Sequence, residues 1–85
     1  MDAKFIHLRN RDNNNRVTVK GGTTVAFTYE NGIVRFALAK CHERDNFCRR
    51  TGRVKAEGRL KSARYVREIL VPVEQKPFDA IMEAL

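Results

Sequence analysis

Between Lys40 and Arg67 the chain carries ten basic side chains: Lys40, Arg44, Arg49, Arg50, Arg53, Lys55, Arg59, Lys61, Arg64 and Arg67. Three acidic ones, Glu43, Asp45 and Glu57, stand among them. The whole chain has a net charge of +7, so this stretch supplies all of it and the remaining residues balance to zero. A neutral scaffold with one cationic element has a directed field, and such a field attracts a polyanion, most commonly nucleic acid. Arginine outnumbers lysine in the stretch by seven to three. Its planar guanidinium favours bidentate phosphate contacts over simple point charges. The candidate phosphate-binding residues are Arg49, Arg50, Arg53, Lys55, Arg59, Lys61, Arg64 and Arg67. Each phosphate neutralised adds about 0.7 to 0.9 to the log–log salt slope of binding. Tyr65 is the one aromatic residue placed to stack on a base, since Phe27 and Phe36 belong to the expected core. Recognition by shape and charge, with RNA favoured over DNA, is therefore more economical than base-specific readout. The alternative reading of the same residues is a solvated helix face.

Other chemistry is sparsely supplied. Catalysis needs convergent titratable groups, and the sequence has two histidines and no GxSxG, P-loop, HExxH or acidic magnesium cluster. His7 lies among strand residues, and His42 either caps a strand end or touches phosphate. Gly21-Gly22-Thr23-Thr24 resembles a phosphate loop only superficially, lacking the lysine and the following helix; it reads as a turn between strands. Cys41 and Cys48 read as small buried hydrophobes in a reducing compartment. A zinc site from Cys41, His42, Cys48 and His7 is disfavoured, because adjacent Cys41 and His42 rarely both reach one ion. No enzyme activity, cofactor or metal is expected.

The elements that would position the basic run follow from periodicity. Lys4 to Arg9 alternates, with Ile6 and Leu8 on one side and Phe5, His7 and Arg9 on the other, as in a strand. Asn10 to Arg16 is a polar turn cluster; Val17 to Lys20 resumes the strand and Gly21-Gly22 breaks it. TTVAFTYE-NG-IVRFALAK is a hairpin about Asn31-Gly32, the preferred pair for a two-residue type I′ turn. Counting outward pairs Glu30 with Ile33, Tyr29 with Val34, Thr28 with Arg35, Phe27 with Phe36, Ala26 with Ala37 and Val25 with Leu38. One face then receives Val25, Phe27, Tyr29, Val34, Phe36 and Leu38 and is buried. The other receives Thr24, Ala26, Thr28, Arg35, Ala37 and Ala39 and can stay wet.

A helix opening at Arg44 or Asp45, with Asp45 as its cap, carries the basic residues. Gly52, Ala56 and Ala63 would let it lie close to the hairpin's apolar face, while Arg50, Arg53, Glu57, Lys61 and Arg64 form a nearly continuous basic stripe that points outward. Gly58 leaves open whether the helix is continuous or breaks there. Tyr65 to Val73 suits an outer strand that ends at Pro72. PFDAIMEAL starts after Lys76-Pro77 as a short helix with Phe78, Ile81, Met82 and Leu85 on one face, docked on its own core or on a second copy. The expected fold class is α+β: a small antiparallel β-sheet packed on one basic helix, with a short C-terminal helix, in a single domain of residues 1–85.

The chain's 85 residues, 42% of them hydrophobic, can close one modest core. No apolar run approaches the roughly 20 residues that span a bilayer. The first residues lack a signal-peptide core, so a cytoplasmic protein is expected.

The run Cys41 to Leu60, CHERDNFCRRTGRVKAEGRL, resembles a segment of small accessory proteins of tailed bacteriophages. The residues that carry the resemblance are Cys41, Asp45, Phe47, Arg49, Arg50, Gly52, Arg53, Ala56, Gly58, Arg59 and Leu60, and KGGTTV at 20 to 25 is similar too. The likeness covers about half the chain. It implies a phage protein, expected in the host cytoplasm, and a setting in which small accessory proteins often disable host factors, defence nucleases and toxins among them. Charge and resemblance together suggest a non-enzymatic RNA-binding antagonist of a host defence factor such as a ribonuclease toxin. A protein–protein inhibitor that docks its basic helix into an acidic or nucleic-acid-binding cleft of a host enzyme is the alternative. A homodimer through Phe78, Ile81, Met82 and Leu85 would double the basic surface.

Overall fold

The computed structural model describes residues 3–85 and has the expected α+β architecture. Four antiparallel strands, β1 (Lys4–Arg11), β2 (Val17–Glu30), β3 (Ile33–Asn46) and β4 (Arg67–Leu70), lie in sequence order across one sheet. Helix α1 (Arg49–Leu60) precedes β4, and helix α2 (Pro77–Ala84) follows it. The β2–β3 hairpin has the register that the Asn31-Gly32 turn dictates, from Glu30↔Ile33 out to Val25↔Leu38. Both turn residues have the positive φ that type I′ requires, 52° and 77°. The β1–β2 turn is closed by Asp12, whose Oδ1 accepts from the amides of Asn14 and Arg16.

The two faces of the sheet are covered differently from the expectation. The face of larger side chains (Val25, Phe27, Val34, Phe36) packs on Val71 and on Ala80 and Ile81 of α2. The face of small residues does not stay wet: Ala26, Ala37 and Ala39 pack on Ala56 and Leu60 of α1, with Phe5 and Val66 at its border. The cause is steric. Gly52 and Ala56 present almost no side chain on the inner stripe of α1, so that helix fits closely only where the strands are also lined with small residues. A Cβ at Gly52 would collide with the side chain of Thr24. The bulkier face needs a more apolar cover, and α2 provides it.

Three boundaries also differ. Gly21 and Gly22 do not break β2; they carry it through a bulge with φ of 77° and 139°. There the pairing jumps from Gly22↔Cys41 to Lys20↔Asn46, so Gly21 alone stands opposite His42 to Asp45. Asp45 therefore lies in the irregular end of β3 and caps nothing. The helix begins at Arg49 behind Cys48, with no side-chain cap. Phe47, expected inside the helix, is the anchor between strand and helix. Its amide donates to Val19 O at 2.8 Å, and its ring occupies the space that a Cβ at Gly22 would need. The last strand is shorter than Tyr65–Val73, since only Arg67–Leu70 pair with β3. No break occurs at Gly58, and no helix among the described residues is long and apolar enough to cross a membrane.

Candidate nucleic-acid interface

Helix α1 is fixed by Gly52, Ala56 and Leu60, which are four residues apart and so share one face. Ala56 is completely buried and Leu60 nearly so. At about 100° per residue, this places Thr51, Val54 and Gly58 on the side away from the sheet, and Val54 is accordingly 68% exposed. The outermost line of the helix, Val54 and Gly58, is thus uncharged, with Thr51 and Lys61 each about 40° to either side of it. The basic residues stand on its two flanks rather than in one continuous stripe. On the β1 side, Arg50, Arg53 and Lys61 border a shallow groove of ≈ 350 Å³ together with Glu57, Phe5, Val54 and Gly58. On the β3 side, Lys55 and Thr51 share a cavity of ≈ 280 Å³ with Lys40, Cys41 and Cys48.

All eight predicted residues are exposed. Among the described residues one of the eight has a carboxylate partner: Lys61 Nζ lies 3.3 Å from Glu57 Oε1. The other ion pair, Arg35 with Glu68 at 3.0 Å, lies outside the set and is a charge contact in which the Arg35 N–H is not aimed at the carboxylate. Arg59 has a second duty. It donates to Leu38 O at 2.8 Å, beyond Phe36, the last β3 residue that pairs with β4. Arg59 and Arg64 both lie over the half-exposed ring of Tyr65, at 5.8 and 5.7 Å from its centroid. Arg67 is separated from the rest. It pairs with Phe36 and sits over that ring at 5.3 Å, on the sheet face that α2 covers.

The start of α1 is electrostatically unusual. Its first turn holds Arg49 and Arg50 and no acidic residue, although a helix N-terminus favours negative charge. Behind it His7 shares a 3.0 Å hydrogen bond with Thr24 Oγ1 and meets Phe47 edge-on at 5.8 Å. Burial, and then the charges of Arg49, Arg53 and Arg9, hold its pKa below the usual histidine value. Arg9 is spent on structure: its guanidinium lies 4.7 Å over the Phe47 ring and donates to Thr18 O. Cys48 is exposed, contrary to the reading of both cysteines as buried. The neighbouring Thr51, through its hydroxyl and then its amide, holds the thiol pKa below the usual value. Cys41 is half-buried, with its Sγ 3.6–3.7 Å from the carbonyls of His42, Asp45 and Asn46. Among the described residues no three His, Cys, Asp or Glu side chains converge as metal ligands would.

Sequence reasoning left Lys40 out of the site, yet the cavity places it beside Lys55. The missing signal was the face that α1 covers, which decides which strand residues border the helix. Compared with family models, curated proteins and solved structures, the chain matches none.

Proposed function

We propose that this is a non-enzymatic nucleic-acid-binding protein that grips phosphates with α1, RNA being its natural partner. One observation carries the reading: seven of the eight candidate cations are exposed with no carboxylate partner among the described residues. A charged face meant only for solubility more often mixes signs and forms pairs along the helix. The basic first turn, unfavourable in the free protein, becomes favourable once phosphate stands at the helix N-terminus. Arg49, Arg50, Arg53 and Lys55 supply the principal contacts. Lys61 joins once released from Glu57, and Arg59 and Arg64 add the Tyr65 end. Arg67, on the opposite face, is peripheral. In the phage setting that the resemblance implies, binding RNA, or a host factor that holds RNA, would antagonise a defence such as a ribonuclease toxin.

The test is titration of mixed-sequence RNA against wild type and an Arg50→Glu/Arg53→Glu variant at several salt concentrations. The variant is expected to lose at least about tenfold in affinity, equally across sequences, with a salt slope lower by roughly two. Unchanged affinity would overturn the reading. A stoichiometric complex with a host protein that survives ribonuclease would instead support the inhibitor alternative.

A further inference from the structure

We infer that α1 lies crest-first in the minor groove of double-stranded RNA, its two cationic flanks bracketing the groove on opposite strands. This rests on the phosphate-binding reading above and names the partner's form. Three features lead to it. The first is the division of charge, with Arg50, Arg53 and Lys61 outnumbering Glu57 on the β1 side, and Lys55 and Lys40 outnumbering Asp45 on the β3 side. A single strand offers one line of phosphates and would engage one flank; a duplex groove offers two lines with a gap between them. The second is the crest of Val54 and Gly58, with Thr51 and Lys61 to either side of it, which leaves the middle of that gap without charge.

The third is Gly58 itself. A glycine in a helix interior costs about 1 kcal/mol relative to alanine, and less in the last turn, where Gly58 stands. At Gly52 the close packing on Thr24 accounts for it, but a Cβ at Gly58 would meet nothing within 4 Å. The fold has no use for the missing side chain. It matters only to something that approaches from outside, and there it opens the helix backbone to close contact.

The crest also selects the groove. The B-DNA major groove is about 8.5 Å deep and is read by Arg, Lys, Asn or Gln. Inserting Thr51, Val54 and Gly58 there would strip water from base edges and leave most of them without partners. The minor groove of an A-form duplex is wide and shallow, and is recognised by its shape and its 2′-hydroxyl and phosphate groups. A helix exposed along its outer line can reach a shallow groove without inserting the sheet.

The experiment compares a blunt RNA duplex of roughly 20 base pairs with its separated strands and with the DNA duplex of the same sequence. The RNA duplex is expected to bind about tenfold or more tighter than each of the others. Gly58→Gln, which puts a good helix former in place of glycine and so keeps the fold, is expected to weaken duplex RNA binding about tenfold, with thermal melting confirming a folded protein. Single strands or DNA that bind as well as duplex RNA, with the slope still sensitive to Arg50→Glu/Arg53→Glu, would overturn the groove assignment and leave phosphate binding standing. A Gly58→Gln protein that binds duplex RNA like wild type would also overturn it. Absence of salt-dependent binding to all of these nucleic acids would overturn both.

Discussion

His7 is the residue whose surroundings make the sharpest pH prediction. Its folded pKa lies below the unfolded value of 6.5, through burial first and the neighbouring Arg49, Arg53 and Arg9 next. As pH falls below about 6.5 the unfolded chain takes up protons at this site more readily than the folded one, so stability declines with acidity. The contribution is complete above that pH and is lost as pH falls from it toward the depressed folded value. Chemical denaturation between pH 7 and about 5.5, above the range where most carboxylates titrate, is expected to show this slope, and His7→Gln should remove most of it. A slope that persists unchanged in the variant would assign the effect to other groups. Bound phosphate would offset the arginine charges and draw the His7 pKa back upward. At this scale the sequence was least legible. His7 and Phe47 sit where they do because Gly22 leaves room for a ring, a fit between positions 25 residues apart that no local pattern records.

At the scale of elements the two helices divide the sheet by side-chain size. The hairpin register was fully legible, since turn type and alternation are local and fix one another. The face that α1 covers was not, because it depends on competition between two helices for two faces. The inner stripe of Gly52, Ala56 and Leu60 fits the small-residue face, whereas the large apolar side chains of the other face present the plainer demand for cover. They do receive cover, from α2, through Ala80 and Ile81 rather than through the whole expected set. Ile81 is completely buried, whereas Phe78 is 46% exposed. Ile81→Ala is expected to destabilise the protein by about 2 to 5 kcal/mol. Phe78→Ala should cost under about 1.5 kcal/mol. Urea unfolding of the two variants checks the order, and a larger loss from Phe78→Ala would mean that α2 docks in another rotation. Phe78, Met82 and Leu85 keep exposed surface that a second copy could cover, but Ile81 has none to offer.

For the molecule as a whole, charge and packing are arranged independently. The core is built from neutral strand residues on both faces of the sheet, and α1 enters it through its smallest positions, so the cations stay outside at little expense in burial. Overall charge segregation was plain in the sequence. Its division into two flanks was not, because that requires knowing which way the helix is rolled on the sheet. The pairing of Tyr65 with Arg59 and Arg64 has a practical corollary. The chain contains no tryptophan and two tyrosines, so the protein carries a natural fluorophore inside the end proposed to bind phosphate. Replacing Tyr29 with Phe leaves Tyr65 as the sole emitter. Drawing the guanidinium groups away toward a polyanion would then change the tyrosine emission in step with occupancy, a label-free optical readout of binding.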